Sequence, residues 1–294
     1  MYTDGQFPAD DGGNLGQGNS SRQRPFFSII TCTFNSAEYL PETIASVECQ
    51  NFEGFEHIFI DAFSSDATVA IIEAYRARCP GRVVLKQLPA NGISNAMNAG
   101  VALARGDVIL HLHSDDQLAS EKVLARVRKD FEATQATIVI GNCKLTGREP
   151  ITYTWPQSSL RRGLLKAFFR ALMFYSNPIP HPSTYVMRRV FERHGGFDER
   201  YKVVMDYDFW FRVLRHEAVF LTDEVLSVYR FHPNTVSTMQ MAQGLDEIDR
   251  IRAYYRGDYP VAYGVFLILL QPFLALRRLL KNRVSAQLPT SGQV

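Results

Sequence analysis

Three places in the sequence combine residue types that can handle a charged phosphate or move a proton. In "VILHLHSDDQL" (108–118) an apolar run opens onto His111 and His113 and then onto two adjacent carboxylates, Asp115 and Asp116. Like charges side by side repel, yet carboxylate oxygens suit Mg²⁺ or Mn²⁺, and such an ion can bridge diphosphate oxygens and neutralise a leaving group. The same "SDD" also suits the start of a helix, because Ser and Asp favour caps. In "MDYDFWFR" (205–212) Asp206 and Asp208 stand two apart at the head of an aromatic-rich helix. Their side chains diverge there, so the two should not share one job; both would also suit the positive end of a helix dipole. His232 follows a strand-like run in "YRFHP" and, as a lone histidine before a proline, reads as a surface loop residue. Arg230 beside it can pair with phosphate.

These residues need elements to position them. "FFSIITCTF" (26–34) reads as a strand, and Asn35 with Glu38 has capping-box spacing for a helix running to about Gln50. Pro41 fits only near the first turn of that helix. "HIFIDAF" (57–63) reads as a strand, and Ser65 or Asp66 can cap a helix over 67–79 that Pro80-Gly81 stops. Strands follow at 83–88, 107–113 and 137–145, with helices at 93–104 and 120–133. This alternation predicts a mainly parallel sheet covered by helices on both faces. Ligands of such sheets bind beyond the carboxyl ends of the strands. Thr33-Phe34-Asn35, Asp61 and the "HSDD" stretch all lie at such ends and should converge on one crevice.

The formal net charge of +2 argues against a general nucleic-acid binder, and 46% hydrophobic residues support a substantial core. Cys32, Cys49, Cys79 and Cys143 form no CxxC pair and read as reduced thiols rather than disulfides or zinc ligands. Residues 1–24 are rich in Gly, Asn, Gln, Asp and Ser, contain no apolar signal-peptide core, and read as a disordered leader.

Five stretches in order, "SIITCTFNSAEYLPETIASVECQ", "FIDAFSSDAT", "GISNAMNAGVALARGDVILHLHSDD", "GGFDE" and "MDYDFWFR", resemble the motifs of family 2 glycosyltransferases over about residues 26–236. The resemblance implies a GT-A fold and inverting transfer of a sugar from a nucleotide-diphosphate donor. It implies that Thr33 and Asn35 line the nucleotide pocket, that Asp61 bonds the base or ribose, and that Asp66 lies on the loop closing that side. It implies Asp115 as the principal ligand of Mn²⁺ or Mg²⁺, Asp116 as its neighbour in the sugar-phosphate site, and Asp206 as the general base. Asp208 would then make a structural hydrogen bond. A histidine in the region of His232 contacts the metal or diphosphate in related enzymes, and His181 in "IPHPST" resembles an element near the acceptor. Two departures stand out. His113 replaces the first aspartate of the metal motif and can ligate Mn²⁺ without supplying negative charge. Ala62-Phe63 replaces the usual Asp or Gly residues after Asp61, putting an aromatic near the base pocket or into the core.

The domain organisation expected is a GT-A domain over 25–236 and a C-terminal helical segment over 237–294. At helical rise the apolar run 261–276 spans roughly 24 Å, short of the roughly 30 Å hydrocarbon core, and Gln271-Pro272 interrupts it. Leu276, Leu279, Leu280 and Val284 form a stripe beside Arg277, Arg278, Lys281 and Arg283. That pattern suits an interfacial helix; the alternative is a helix packed on the domain or on another subunit. The expected setting is peripheral, on the cytoplasmic face of the membrane, with a glycan or lipid-linked acceptor. A sugar nucleotidyltransferase is the first alternative, but "TCTFNSAEY" lacks the glycines and lysine of a triphosphate loop. A non-catalytic scaffold at the membrane is the second. No GxGxxG follows the first strand, which disfavours a dinucleotide dehydrogenase.

Overall fold

Strand β1, Phe27–Thr33, and strand β2, Phe55–Asp61, are almost wholly buried, so both faces of the sheet must be covered. The alternation of side chains along a strand divides the core in two. Ile30, Ile58 and Ile60 face one layer with Met97. Phe27 and Ile29 face the opposite layer with Val127 and Phe131, and Phe59 packs with Leu40, Ile44, Ile72 and Tyr75. The computed structural model describes residues 24–146, 151–153, 165–175, 177–232 and 240–271.

The remaining elements follow in chain order. Helix α1 is Leu40–Glu48, α2 Thr68–Arg78, β3 Val83–Gln87, α3 Ile93–Leu103, β4 Val108–His111, β5 Gln117–Leu118 and α4 Val123–Thr134. Then come β6 Ile138–Thr146, β7 Ile151–Tyr153, α5 Leu165–Tyr175, β8 Thr184–Met187, α6 Arg188–His194, α7 Met205–Val213 and β9 Val219–Arg230. Helices α8, Met241–Tyr255, and α9, Pro260–Val265, close the described chain, with a π-helical turn at Phe266–Leu270. The sheet order is β3-β2-β1-β4-β8-β6-β9-β5, with β7 on β6. The expected parallel pairing holds from β3 to β4, and β6 also pairs parallel with β9. Strand β8 runs against both β4 and β6.

One helix start departs from the expected cap. Helix α1 begins at Leu40 with no side-chain cap, because Asn35 takes a left-handed backbone (φ 50°) and its Oδ1 accepts the amide of Ser65 instead. Asp66 Oδ1 accepts the amide of Thr68 at the head of α2, while Oδ2 accepts that of Ala37. One loop carboxylate therefore stitches the β1 and β2 exits together.

The sequence motifs interlock. Asn98 on α3 donates to the carbonyl of Phe197 (2.9 Å) and accepts the Phe197 amide (2.8 Å). Gly196 must lack a side chain, because a Cβ there would stand 2.3 Å from Asn98 Oδ1. Ser94 donates to the carbonyl of Tyr201. Helix α3 thus fixes the turn that delivers α7, whose Tyr207, Phe209, Trp210 and Phe211 are essentially inaccessible to solvent. Burying each such side chain is worth about 1.5–3 kcal/mol. Ile251 and Tyr255 of α8, Tyr259 just before α9 and Ala262 of α9 belong to the same hydrophobic cluster as α7. The described part of the C-terminal segment therefore shares the core of the preceding domain. Residues 1–23 of the 1–24 leader and the basic stripe beyond residue 271 lie outside the described residues.

Candidate active site

The carboxyl ends of β1, β2 and β4 open on a cleft of about 1000 Å³. Seven of the residues singled out in the sequence line it: Thr33, Asn35, His113, Asp115, His181, Asp206 and His232. Three others do not. Asp61, Asp66 and Asp116 lie behind or beside its wall.

On the β1–β2 side, Thr33 and Asp61 are paired across the two strands. Asp61 is fully buried, and its carboxylate accepts Thr33 Oγ1 (2.9 Å), Ser64 Oγ (2.5 Å), the Ser64 amide (3.0 Å) and Gln87 Nε2 (3.1 Å). Burial works to raise its pKa, but the hydrogen bonds from Ser64, Gln87 and Thr33 outweigh it and hold the carboxyl below its ordinary value. Asp61 is a preset anion under the pocket floor that fixes Thr33 and the 62–64 loop. Phe63 on that loop is not core: it is 57% exposed, in a left-handed conformation (φ 56°) that bulky residues rarely take. Phe34 is 62% exposed and lines the cleft.

On the opposite side, β9 carries His232 to Asp115, with Nε2 2.9 Å from Oδ2. Tyr39 underlies this pair: its ring stacks obliquely on His232, and the Arg230 guanidinium covers it at 4.8 Å. Arg230 also bonds Glu42 and the Asp115 carbonyl. Asp116 turns inward, away from the cleft. One of its oxygens accepts the Arg230 amide (3.1 Å), and the other has no partner among the described residues. Burial, with the neighbouring Asp115, pushes its pKa well above the ordinary carboxylate value.

The donor set suits a divalent ion only with help. Asp115 and His232 offer an oxygen and a nitrogen side by side, and His113 a further nitrogen from the same wall. Among the described residues no three carboxylate, imidazole or thiolate side chains are arranged to hold an ion alone. The residues fit an ion that takes its remaining ligands from a diphosphate.

Asp206 sits at the head of α7, where Asn177 Nδ2 donates to its Oδ2 (2.8 Å) and the Tyr207 amide to its Oδ1 (2.8 Å). Burial dominates these contacts and raises its pKa to about 6. His181 Nδ1 stands 3.9 Å from the same carboxylate, and the His181 ring lies 5.5 Å from those of His111 and His113. Burial lowers the pKa of all three imidazoles, which are therefore neutral near pH 7. Asp208 points elsewhere and bonds Arg212 (3.1 Å) and Tyr255 (3.0 Å). Asn177 and Tyr39 carry no chemical signal in the sequence. Asn177-Pro178 signals only a turn, and an isolated tyrosine before a helix carries no signature.

The arrangement can hold a nucleotide at the β1–β2 end, a diphosphate near Asp115, and a proton acceptor across the cleft at Asp206. Comparison with known proteins agrees in kind. Residues 28–196 match the model of Glycosyl transferase family 2, a stretch that stops short of Asp206 and His232. A PGL/p-HBAD biosynthesis glycosyltransferase of Mycobacterium bovis is 29% identical over 196 residues, covering 66% of this chain and 72% of that protein. The Staphylococcus aureus TarS fragment 1–349 in complex with UDP-GlcNAc superposes with a TM-score of 0.59 at 20% identity, covering 71% of this chain and 59% of that one. Mannosyltransferase PcManGT of Pyrobaculum calidifontis, in complex with GDP-Man and Mn²⁺, gives 0.56 at 16% identity over 92% of this chain and 82% of that one. The chain belongs to glycosyltransferase family 2 and is a glycosyltransferase of GT-A fold.

Proposed function

We propose that this glycosyltransferase moves a sugar, with inversion, from a nucleoside-diphosphate donor to a hydroxyl of a glycan or lipid-linked acceptor in surface polysaccharide or glycolipid synthesis. The observation that carries this reading is the placement of Asp206. It shares a cleft with Thr33, Asn35, Asp115 and His232, and burial tunes it to about 6, a strong enough base that is still ionised near neutrality. In the step proposed, Asp206 takes the proton of the acceptor hydroxyl. The freed oxygen forms the new bond to the anomeric carbon while the bond to the diphosphate oxygen breaks on the opposite face. Asn177 holds the carboxylate, and His181, neutral beside it, marks the acceptor side.

Thr33 and Asn35 are the proposed nucleotide contacts. Asp61 and Asp66 fix their loops from behind, and Asp116 anchors β9 beneath the sugar-phosphate site. Asp115, His232 and His113 are the residues that would hold Mn²⁺ or Mg²⁺, which when bound supplies charge neutralisation at the leaving diphosphate. The donors seen with TarS and PcManGT, UDP-GlcNAc and GDP-Man, define the class to screen. A lipid-linked acceptor agrees with the named pathway of the mycobacterial relative. It also agrees with the exposure of Val261 (73%), Ile268 (74%) and Leu269 (61%) along the last described helical turns, side chains suited to peripheral attachment at the cytoplasmic face of a membrane. Among the described residues no helix is long and apolar enough to cross a membrane. Thermal shift against a nucleotide-sugar panel, with and without Mn²⁺, tests donor binding; no stabilisation by any member would defeat the reading.

A further inference from the structure

Glu247 is a fully buried carboxylate on α8, far in sequence from the cleft, with no role in the chemistry above. Its two oxygens accept three consecutive amides, those of Lys202 (2.9 Å), Val203 (3.0 Å) and Val204 (3.1 Å). Gln243 donates to the same group from the exposed side (3.0 Å). Burial disfavours the charged form, but the three amides and Gln243 hold its pKa below the ordinary value. Gly244, one turn earlier on the same face, lets the loop come close: a Cβ there would stand 3.1 Å from Val203 Cγ1. Val203 and Met205 line the cleft, and Asp206 follows directly.

We propose that Glu247 is a positioning residue for Asp206: it gathers the 202–204 amides onto α8 and so fixes where the base enters the cleft. The proposal rests on Asp206 as the base. A carboxylate at this point is the one side chain that can accept three neighbouring amides with two oxygens. The loop it holds has no other regular structure. Two further side chains brace the same helix: Tyr255 of α8 bonds Asp208, and Tyr259, just before α9, donates to the Phe211 carbonyl. The entry of α7 is thus held from the C-terminal helices, beyond the stretch that matches the family model.

The test compares wild type with Glu247→Gln, which keeps the shape and removes the charge, and with Gln243→Ala, which removes one donor from an exposed position and leaves folding intact. Amide exchange at 202–204 reports the clasp, and carboxyl NMR reports the titration of Asp206. Glu247→Gln should speed exchange there about tenfold or more and lower the Asp206 midpoint by about half a unit or more as water reaches it. Gln243→Ala should move both the same way by less. With UDP-GlcNAc and GDP-Man as donor probes in the presence of Mn²⁺, kcat should fall while donor KM stays put. Faster exchange with an unmoved Asp206 midpoint would overturn the proposal and leave Glu247 a structural residue. Retained turnover in Asp206→Asn would instead remove the base assignment, whatever Glu247 does.

Discussion

Replacing Asp206 by Asn should separate stability from activity. The carboxyl sits in a buried site that raises its pKa from an ordinary 3.8 to about 6. In the wild type the unfolded chain ionises first as pH rises past about 4, and the folded chain only near 6. Stability is therefore undiminished below the unfolded pKa and is lost as pH rises through the folded one. A shift of roughly two units corresponds to about 3 kcal/mol, an upper bound on what the ionised group costs the fold above pH 6. Asn carries no charge and keeps one oxygen, which can accept from Asn177 or from the Tyr207 amide but not both, a loss of about 1 kcal/mol. Asp206→Asn should fall slightly below wild type in thermal stability near pH 4 and exceed it at pH 7 and above. Turnover should fall about 10²–10⁴-fold, the usual worth of a positioned base, and the acid limb of the wild-type rate profile, with its inflection near 6, should vanish. Donor affinity should be unchanged. The assay is paired: calorimetry across pH, and initial rates with the best donor of a panel. A variant less stable than wild type at pH 7 would refute the burial argument, and one that keeps its rate would refute the catalytic one.

Asp61→Asn should cost about 1–3 kcal/mol in chemical denaturation, because an amide cannot accept from all four donors now converging on the carboxylate. It should also weaken nucleotide binding through the loosened Thr33. His232→Ala should leave the fold intact but reduce Mn²⁺-dependent UDP binding by calorimetry about tenfold or more, in the range of a lost ligand or ligand-orienting group; unchanged metal dependence would remove it from the site. Ile268→Glu with Leu269→Glu should cut sedimentation with anionic vesicles while sparing donor binding, as both side chains face solvent. Equal sedimentation would remove this surface from membrane attachment.

Much of this arrangement is legible in the sequence because it depends on strand ends. Thr33, Asp61 and His111 close three neighbouring parallel strands, so the alternation of elements alone brings their loops together. What the pattern cannot give is depth. Asp61 and Asp116 come from the same loops as the lining residues, yet their carboxylates turn into hydrogen bonds behind the wall, and exposed Asp66 spends its carboxylate on the loops beside it. A one-residue difference along a loop, Asp115 against Asp116, separates a cleft carboxylate from a buried one. The capping-box reading at Asn35 failed for a related reason: its side chain found a partner across the loop in Ser65, which local spacing does not encode. Glu247 and Asn177 were invisible because their partners, the 202–204 amides and Asp206, lie tens of residues away in sequence.

The most direct measurement is a structure of the enzyme with a nucleoside-diphosphate sugar and Mn²⁺. The base of the nucleotide should lie beside Thr33 and Asn35, the diphosphate at Asp115 and His232, and the anomeric carbon between that diphosphate and the Asp206 carboxylate. A sugar whose far face turns to any group other than Asp206, or a nucleotide seated away from Asp115, would contradict this placement.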